Sequence, residues 1–172
     1  MNKVLLSEYF EIKSTIQDDK INFELSEKEY KDALPFLGRS AINNGIVDYV
    51  SPMPSKINDG GILTIALDGS TGATFYQHHK FCSGQNIWGL IPKEKYFDQF
   101  DPEIALFIVT SIRKAVKNYS YNLSLTKTRL MKVKILLPIQ SDGTVDTNYI
   151  KASMKGLRNI EVIKEIPELR CL

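Results

Sequence analysis

The sequence predicts an α+β fold: a mostly antiparallel, curved β-sheet domain with one amphipathic helix packed on it. Three observations predict it. Short segments rich in aromatic and β-branched residues recur through the front of the chain, separated by clusters of Gly, Pro, Asn, Asp and Ser. Between 102 and 118 the apolar spacing switches to that of a helix. The regular strand-helix alternation of a doubly wound sheet is missing.

The elements follow in order. Strands are expected at "YFEIKS" (9–14), "LPFLG" (34–38), "IVDYV" (46–50), "GILTIAL" (61–67), "ATFYQ" (73–77) and "QNIWGLIP" (85–92). The fourth and fifth read as a hairpin with the loop Asp68-Gly69-Ser70-Thr71-Gly72. "SEKEYKDAL" fits a short helix, with Ser26 as cap and Glu29 at capping-box spacing. In "FDPEIALFIVTSIRKAVKNY", residues 105, 106, 108, 109, 112 and 116 mark a buried stripe. Asp101 is placed to cap this helix, Pro102 suits its first position, and Arg113, Lys114 and Lys117 suit its last turn. A polar segment follows, then a strand "VKILLP" (133–138), a turn "SDG", and a short helix from about Thr147 to Leu157.

The chain has 172 residues, 43% of them hydrophobic, enough for one domain with a substantial core. Residues 1–160 are expected to form it, with "EVIKEIPELRCL" (161–172) as a tail or truncated connector. The formal net charge of +2 permits nucleic-acid binding without requiring it, so charge placement carries that question. Two cysteines far apart, Cys82 and Cys171, give no disulfide framework and suit a reducing cytoplasm. "VLL" near the start is too short for a signal-peptide core, and "ALFIV" is too short for a membrane span.

Catalytic chemistry finds little support. "DGGILTIALDGSTG" lacks the Gly-Lys-Ser/Thr ending of a phosphate loop and leads into a strand. No Gly-x-Gly-x-x-Gly opens a helix, and the Asn/Asp-Pro-Pro-aromatic signature of amino-methyltransferases is absent, so no cofactor is expected. "QHHKFC" puts His78 and His79 on opposite faces of a strand, and no second Cys/His cluster completes a metal site. "DPE" at 101–103 reads as a helix start rather than a nuclease carboxylate cluster, and no serine sits in a Gly-x-Ser-x-Gly turn. Such a chain is expected to bind rather than to catalyse.

Four connections share one polar composition. "GRSAINN" offers Arg39, Ser40, Asn43 and Asn44; "DGSTG" offers Ser70 and Thr71; "YQHHK" offers Gln77, His78, His79 and Lys80; "KNYSYNLSLTKTR" offers Lys117, Asn118, Tyr119, Tyr121, Asn122, Lys127 and Arg129. Arg pairs with guanine edges and Asn or Gln with adenine, while Lys, Ser, Thr and backbone amides hold phosphates. Each set also has a plain structural use, as a hairpin turn, a local backbone partner or a basic helix end. The recurrence across four loops is what points to DNA.

The run "PFLGRSAINNGIVDYV … GGILTIALDGSTGATFYQHHKFCSGQNIWGLIP … FDPEIALFIVTSIRKAVKNYSYN … KVKILLPIQSDGTVD" resembles the target recognition domain of restriction-modification specificity subunits. It is similar to those of type I enzymes and closer to those of BcgI-like type II systems, over about residues 9–150. The resemblance implies a non-catalytic, sequence-specific binder of double-stranded DNA that directs partner methyltransferase and restriction subunits. On it, the DNA-facing residues would be Arg39, Ser40, Asn43, Asn44, Ser70, Thr71, Gln77, His78, Lys80, Lys117, Tyr119, Tyr121, Asn122 and Lys127. One such domain and neither long paired helix is visible, which leaves room for a second specificity domain. The alternative is a small nuclease or DNA-modification enzyme acting through the same loops. A third reading is a protein-interaction module, because Tyr and Arg also anchor interfaces.

Overall fold

The computed structural model describes residues 1–28, 30–119 and 123–155. Its strands are β1 (Asn2–Leu5), β2 (Phe10–Ser14), β3 (Leu34–Leu37), β4 (Ile46–Val50), β5 (Ile62–Ala66), β6 (Thr74–Gln77), β7 (Cys82–Ser83), β8 (Ile87–Pro92) and β9 (Lys134–Leu137). Its helices are α1 (Leu6–Tyr9), α2 (Pro102–Val116), α3 (Lys127–Leu130) and α4 (Thr147–Lys155). The strands form three sheets, ordered β1-β9, β2-β8-β5-β6 and β4-β3-β7. Every pairing between these strands is antiparallel except the short β3–β7 contact.

The central sheet and α2 make the main core. Leu63, Ile65 and Leu90 from the sheet meet Ile104, Ala105, Ile108, Val109, Ile112 and Val116 from the helix, with Phe10, Ile135, Leu137 and Ile150 around them. Asp101 Oδ1 caps α2 by accepting from the Ile104 N–H at 3.1 Å. It also forms an ion pair with Lys151 at 2.7 Å, which ties α2 to α4. The expected helical stripe is present, except that Leu106 is half-buried and Ile104, outside the expected set, is fully buried. A second, smaller core joins Phe23, Phe36, Val50 and Cys82 beneath the third sheet.

β6 is an edge strand, and two side chains close its free side. Arg113 donates twice to the Thr74 carbonyl, from Nε at 3.0 Å and Nη2 at 2.7 Å, and stacks over Phe75. Asn44 Nδ2 donates to the next carbonyl on that side, Tyr76 O, at 3.1 Å. Unpaired strand edges invite pairing with other chains, and these contacts block it.

One local expectation needs correction, and two strands, β1 and β7, fall outside the expected set. "SEKEYKDAL" is not a helix: Leu25 bridges Val50, the Ser26 N–H donates to Tyr49 O, and two turns follow (Tyr30 N–H to Glu27 O, Ala33 N–H to Tyr30 O). The third sheet engages the backbone that a helix start would need, and Glu29, the capping-box partner, lies outside the described residues. The N-terminal "NKVL" is a strand because it pairs with β9 at the far end of the chain. Cys82 and Ser83 form a two-residue strand too short to show in the sequence pattern. The final helix is described to Lys155, and the 161–172 segment lies outside the described residues.

Candidate nucleic-acid interface

The hairpin loop after β5 is the centre of the polar end. Gly72 has φ +81° and a Cβ there would come within 2.8 Å of Val116 Cγ2, so only glycine lets this loop sit against the last turn of α2. Gly69 lies against Arg39 in the same way, and the Ser70 N–H donates to Arg39 O at 3.2 Å. Arg39, Ser70, Thr71, Lys117 and Tyr119 therefore gather at one end of the sheet. Lys127 joins them: its Nζ lies 5.2 Å from the Trp88 ring, and Trp88 pairs across the sheet with Ile65 at that end. Arg39 and Lys117 are exposed, and Ser70, Thr71 and Tyr119 are half-buried.

Charge at this end is mixed on one side. Arg39 Nη1 donates to Asp68 Oδ2 at 2.9 Å, with both side chains about half exposed (48% and 45%). A cleft of about 240 Å³ beside Arg39 is bordered by Asp18 and Gln85. Hydrogen bonds from Asn22 and Lys56 and from the Asp19 backbone hold the Asp18 carboxyl below its ordinary value, so it stays charged.

The other expected site residues are placed differently. Asn43 and Asn44 both adopt left-handed backbone (φ 50° and 52°), a conformation asparagine tolerates. Asn43 Nδ2 donates to Ile46 O at 3.1 Å, and Ser40 Oγ closes a local turn with Ile42. Gln77 requires correction as a base reader. It is 3% exposed, its Nε2 donates to Asn44 O at 3.1 Å and Thr64 Oγ1 at 3.0 Å, and its Oε1 accepts from Asn44 at 3.2 Å. Replacing Gln77 with Ala is expected to lower stability by about 1–3 kcal/mol, because it strands buried partners. Thermal melting checks this, and DNA selectivity should be unchanged.

His78 and Lys80 follow the opposite end of β6, near the start of α2. His78 Nδ1 lies 3.2 Å from the Tyr76 hydroxyl, and the Tyr76 ring packs on Phe100. The structure thus does not bring them to the hairpin loop. Tyr121 and Asn122 lie outside the described residues. Cys82 is fully buried, packed with Phe23, Phe36 and Val50 in the second core, and burial pushes its thiol up. Among the described residues no three His, Cys, Asp or Glu side chains could hold a metal, and no helix is long and apolar enough to cross a membrane.

Two residues at the polar end escape sequence reasoning. Asn86 has φ 61°, and its Nδ2 donates to Asp68 Oδ2 at 2.8 Å. Trp88 supplies the aromatic face under Lys127. "SGQN" signals a turn, but nothing in the sequence shows which loop that turn meets.

Comparison with known proteins finds one family over nearly the whole chain: the family described as type I restriction modification DNA specificity domain matches residues 1–168. The chain is 29% identical, over 126 residues, to the specificity subunit of the type II restriction enzyme BcgI from Heyndrickxia coagulans, covering 73% of this chain and 36% of that protein. Its fold matches the HsdS subunit from Thermoanaerobacter tengcongensis (TM-score 0.59, 15% identity, 95% of this chain and 39% of that one). It also matches a type I restriction-modification S subunit from M. genitalium (TM-score 0.54, 14% identity, 95% of this chain and 43% of that one). The chain spans well under half the length of each of these relatives.

Proposed function

The chain belongs to the family of type I restriction-modification DNA specificity domains, and from that premise we propose that it binds double-stranded DNA in a sequence-specific way through the polar end of its central sheet. In this reading residues 1–160 act as one target recognition domain and perform no chemistry. They choose the site at which partner methyltransferase and restriction subunits act, in the cytoplasm. A second specificity domain is included among the partners, because the unmatched part of each relative is large enough to hold one.

The observation that carries the reading is the convergence of Arg39, Ser70, Thr71, Lys117 and Lys127, from three of the four polar connections, on one end of the sheet. A guanidinium with free donors can read a guanine edge, and the lysines and hydroxyls can hold the flanking phosphates.

Salt dependence tests the placement. Lys117→Gln and Lys127→Gln should each weaken binding to all duplexes about equally and lower the log-log salt slope by roughly one unit. Lys80→Gln, at the other end of β6, should leave the slope unchanged. A slope that falls only for Lys80→Gln would move the interface to that end. Incubating the purified chain with mixed-sequence duplex, magnesium and S-adenosylmethionine should give neither strand cleavage nor methyl transfer. Either product would favour an enzyme acting through these loops.

A further inference from the structure

We propose that Asp68 is a specificity-determining positioning residue, which locks Arg39 and Asn86 into one hydrogen-bonded unit and keeps Arg39 from acting as a phosphate contact. This rests on the DNA-binding reading above. The unit joins three loops distant in sequence. Asp68 Oδ2 accepts from Arg39 Nη1 at 2.9 Å and from Asn86 Nδ2 at 2.8 Å. Asn86 is itself held, its backbone N–H donating to Gln17 Oε1 at 3.1 Å. Gly69 presses on Arg39, where a Cβ would lie 2.9 Å from Arg39 Cβ.

Stability does not explain the arrangement. Asp68 Oδ1 is buried and accepts no hydrogen bond among the described residues, which disfavours a carboxylate at this position. Recognition does explain it. A free arginine on a basic surface is drawn to phosphates, and such contacts carry no sequence information. Paired with Asp68, the guanidinium becomes part of a neutral unit that phosphates attract little. Its remaining N–H donors keep a fixed direction, and directional donors discriminate bases. Asn86 keeps its side-chain oxygen as an acceptor beside them, suited to the amino group of adenine or cytosine.

The test is Asp68→Asn, which retains shape and an acceptor oxygen but removes the charge. Binding to mixed-sequence duplex should tighten about three- to tenfold, and the salt slope should steepen by about one unit. The ratio of specific to non-specific affinity should fall by the same factor, with the melting temperature little changed. Asn86→Gly tolerates the positive φ and removes one arm without changing charge. It should reduce selectivity at an unchanged salt slope. An Asp68→Asn chain with wild-type slope and wild-type selectivity, or with weaker binding to all DNA, would overturn the proposal. If Asp68→Asn does not fold, undiminished selectivity in Asn86→Gly overturns it instead. A wild-type chain that binds duplexes without preference would defeat the DNA-specificity reading itself. A discriminating wild type whose variants discriminate equally well defeats the role of Asp68 alone.

Discussion

An Ile112→Asp chain is expected to lose about 4 kcal/mol or more of stability, enough to unfold a domain of ordinary marginal stability. Ile112 is fully buried in the middle of the α2 face that meets the central sheet, among Ile108, Val109 and Val116. A carboxylate there would have no cation to pair with on the apolar surface it enters. Ile112→Val, which removes one methylene, should cost only about 0.5–1.5 kcal/mol. Denaturant unfolding of the two variants measures the difference. An Ile112→Asp chain that unfolds at the wild-type midpoint would mean that α2 buries another face, and the polar end that α2 helps to build would then be misplaced.

Arg39→Ala is expected to remove about 1–3 kcal/mol of discrimination at one base pair, the size of one good bidentate contact. Its effect on stability should be small, because the Arg39–Asp68 pair is about half exposed and such pairs contribute roughly 0–1 kcal/mol. Non-specific binding should fall modestly, since Asp68 then faces DNA without its cation. Arg39→Lys keeps the charge but not the fork, and should also lose the preference. Affinities for single-base-pair variants of the preferred site, measured beside melting, check all of this. A melting temperature that drops while the preference stays intact would make the loop scaffolding.

Both elements were legible in the sequence to different degrees. Seven strands and the α2 stripe follow from local pattern, because alternation and helical spacing report burial directly. The β1–β9 pair, the two-residue β7 and the turns at 26–33 depend on distant partners, which local pattern cannot show. "GRSAINNG" illustrates the same division within the site. Its hydrogen-bonding richness is visible in the sequence, yet its uses are not. Asn44 closes the edge of β6 and locks with Gln77, Asn43 serves its own turn, and Arg39 alone of the three reaches the hairpin loop at the polar end. The sequence separates donors from acceptors by type; only the fold shows which of them other protein groups already occupy. Asn86 escapes the sequence pattern for this reason, since it looks like an ordinary turn residue until Asp68 is beside it.

The central claim is that this chain chooses a DNA sequence through the end of the sheet carrying Arg39, Ser70, Thr71, Lys117 and Lys127. Selection of the purified chain against a randomised duplex library at physiological salt tests it most directly. The account predicts enrichment of one short motif by the wild type. It also predicts the same motif with one degenerate position for Arg39→Ala, and the same motif undiminished for Lys80→Gln. A library recovered without enrichment, by a chain that still binds duplex with a steep salt dependence, would contradict it.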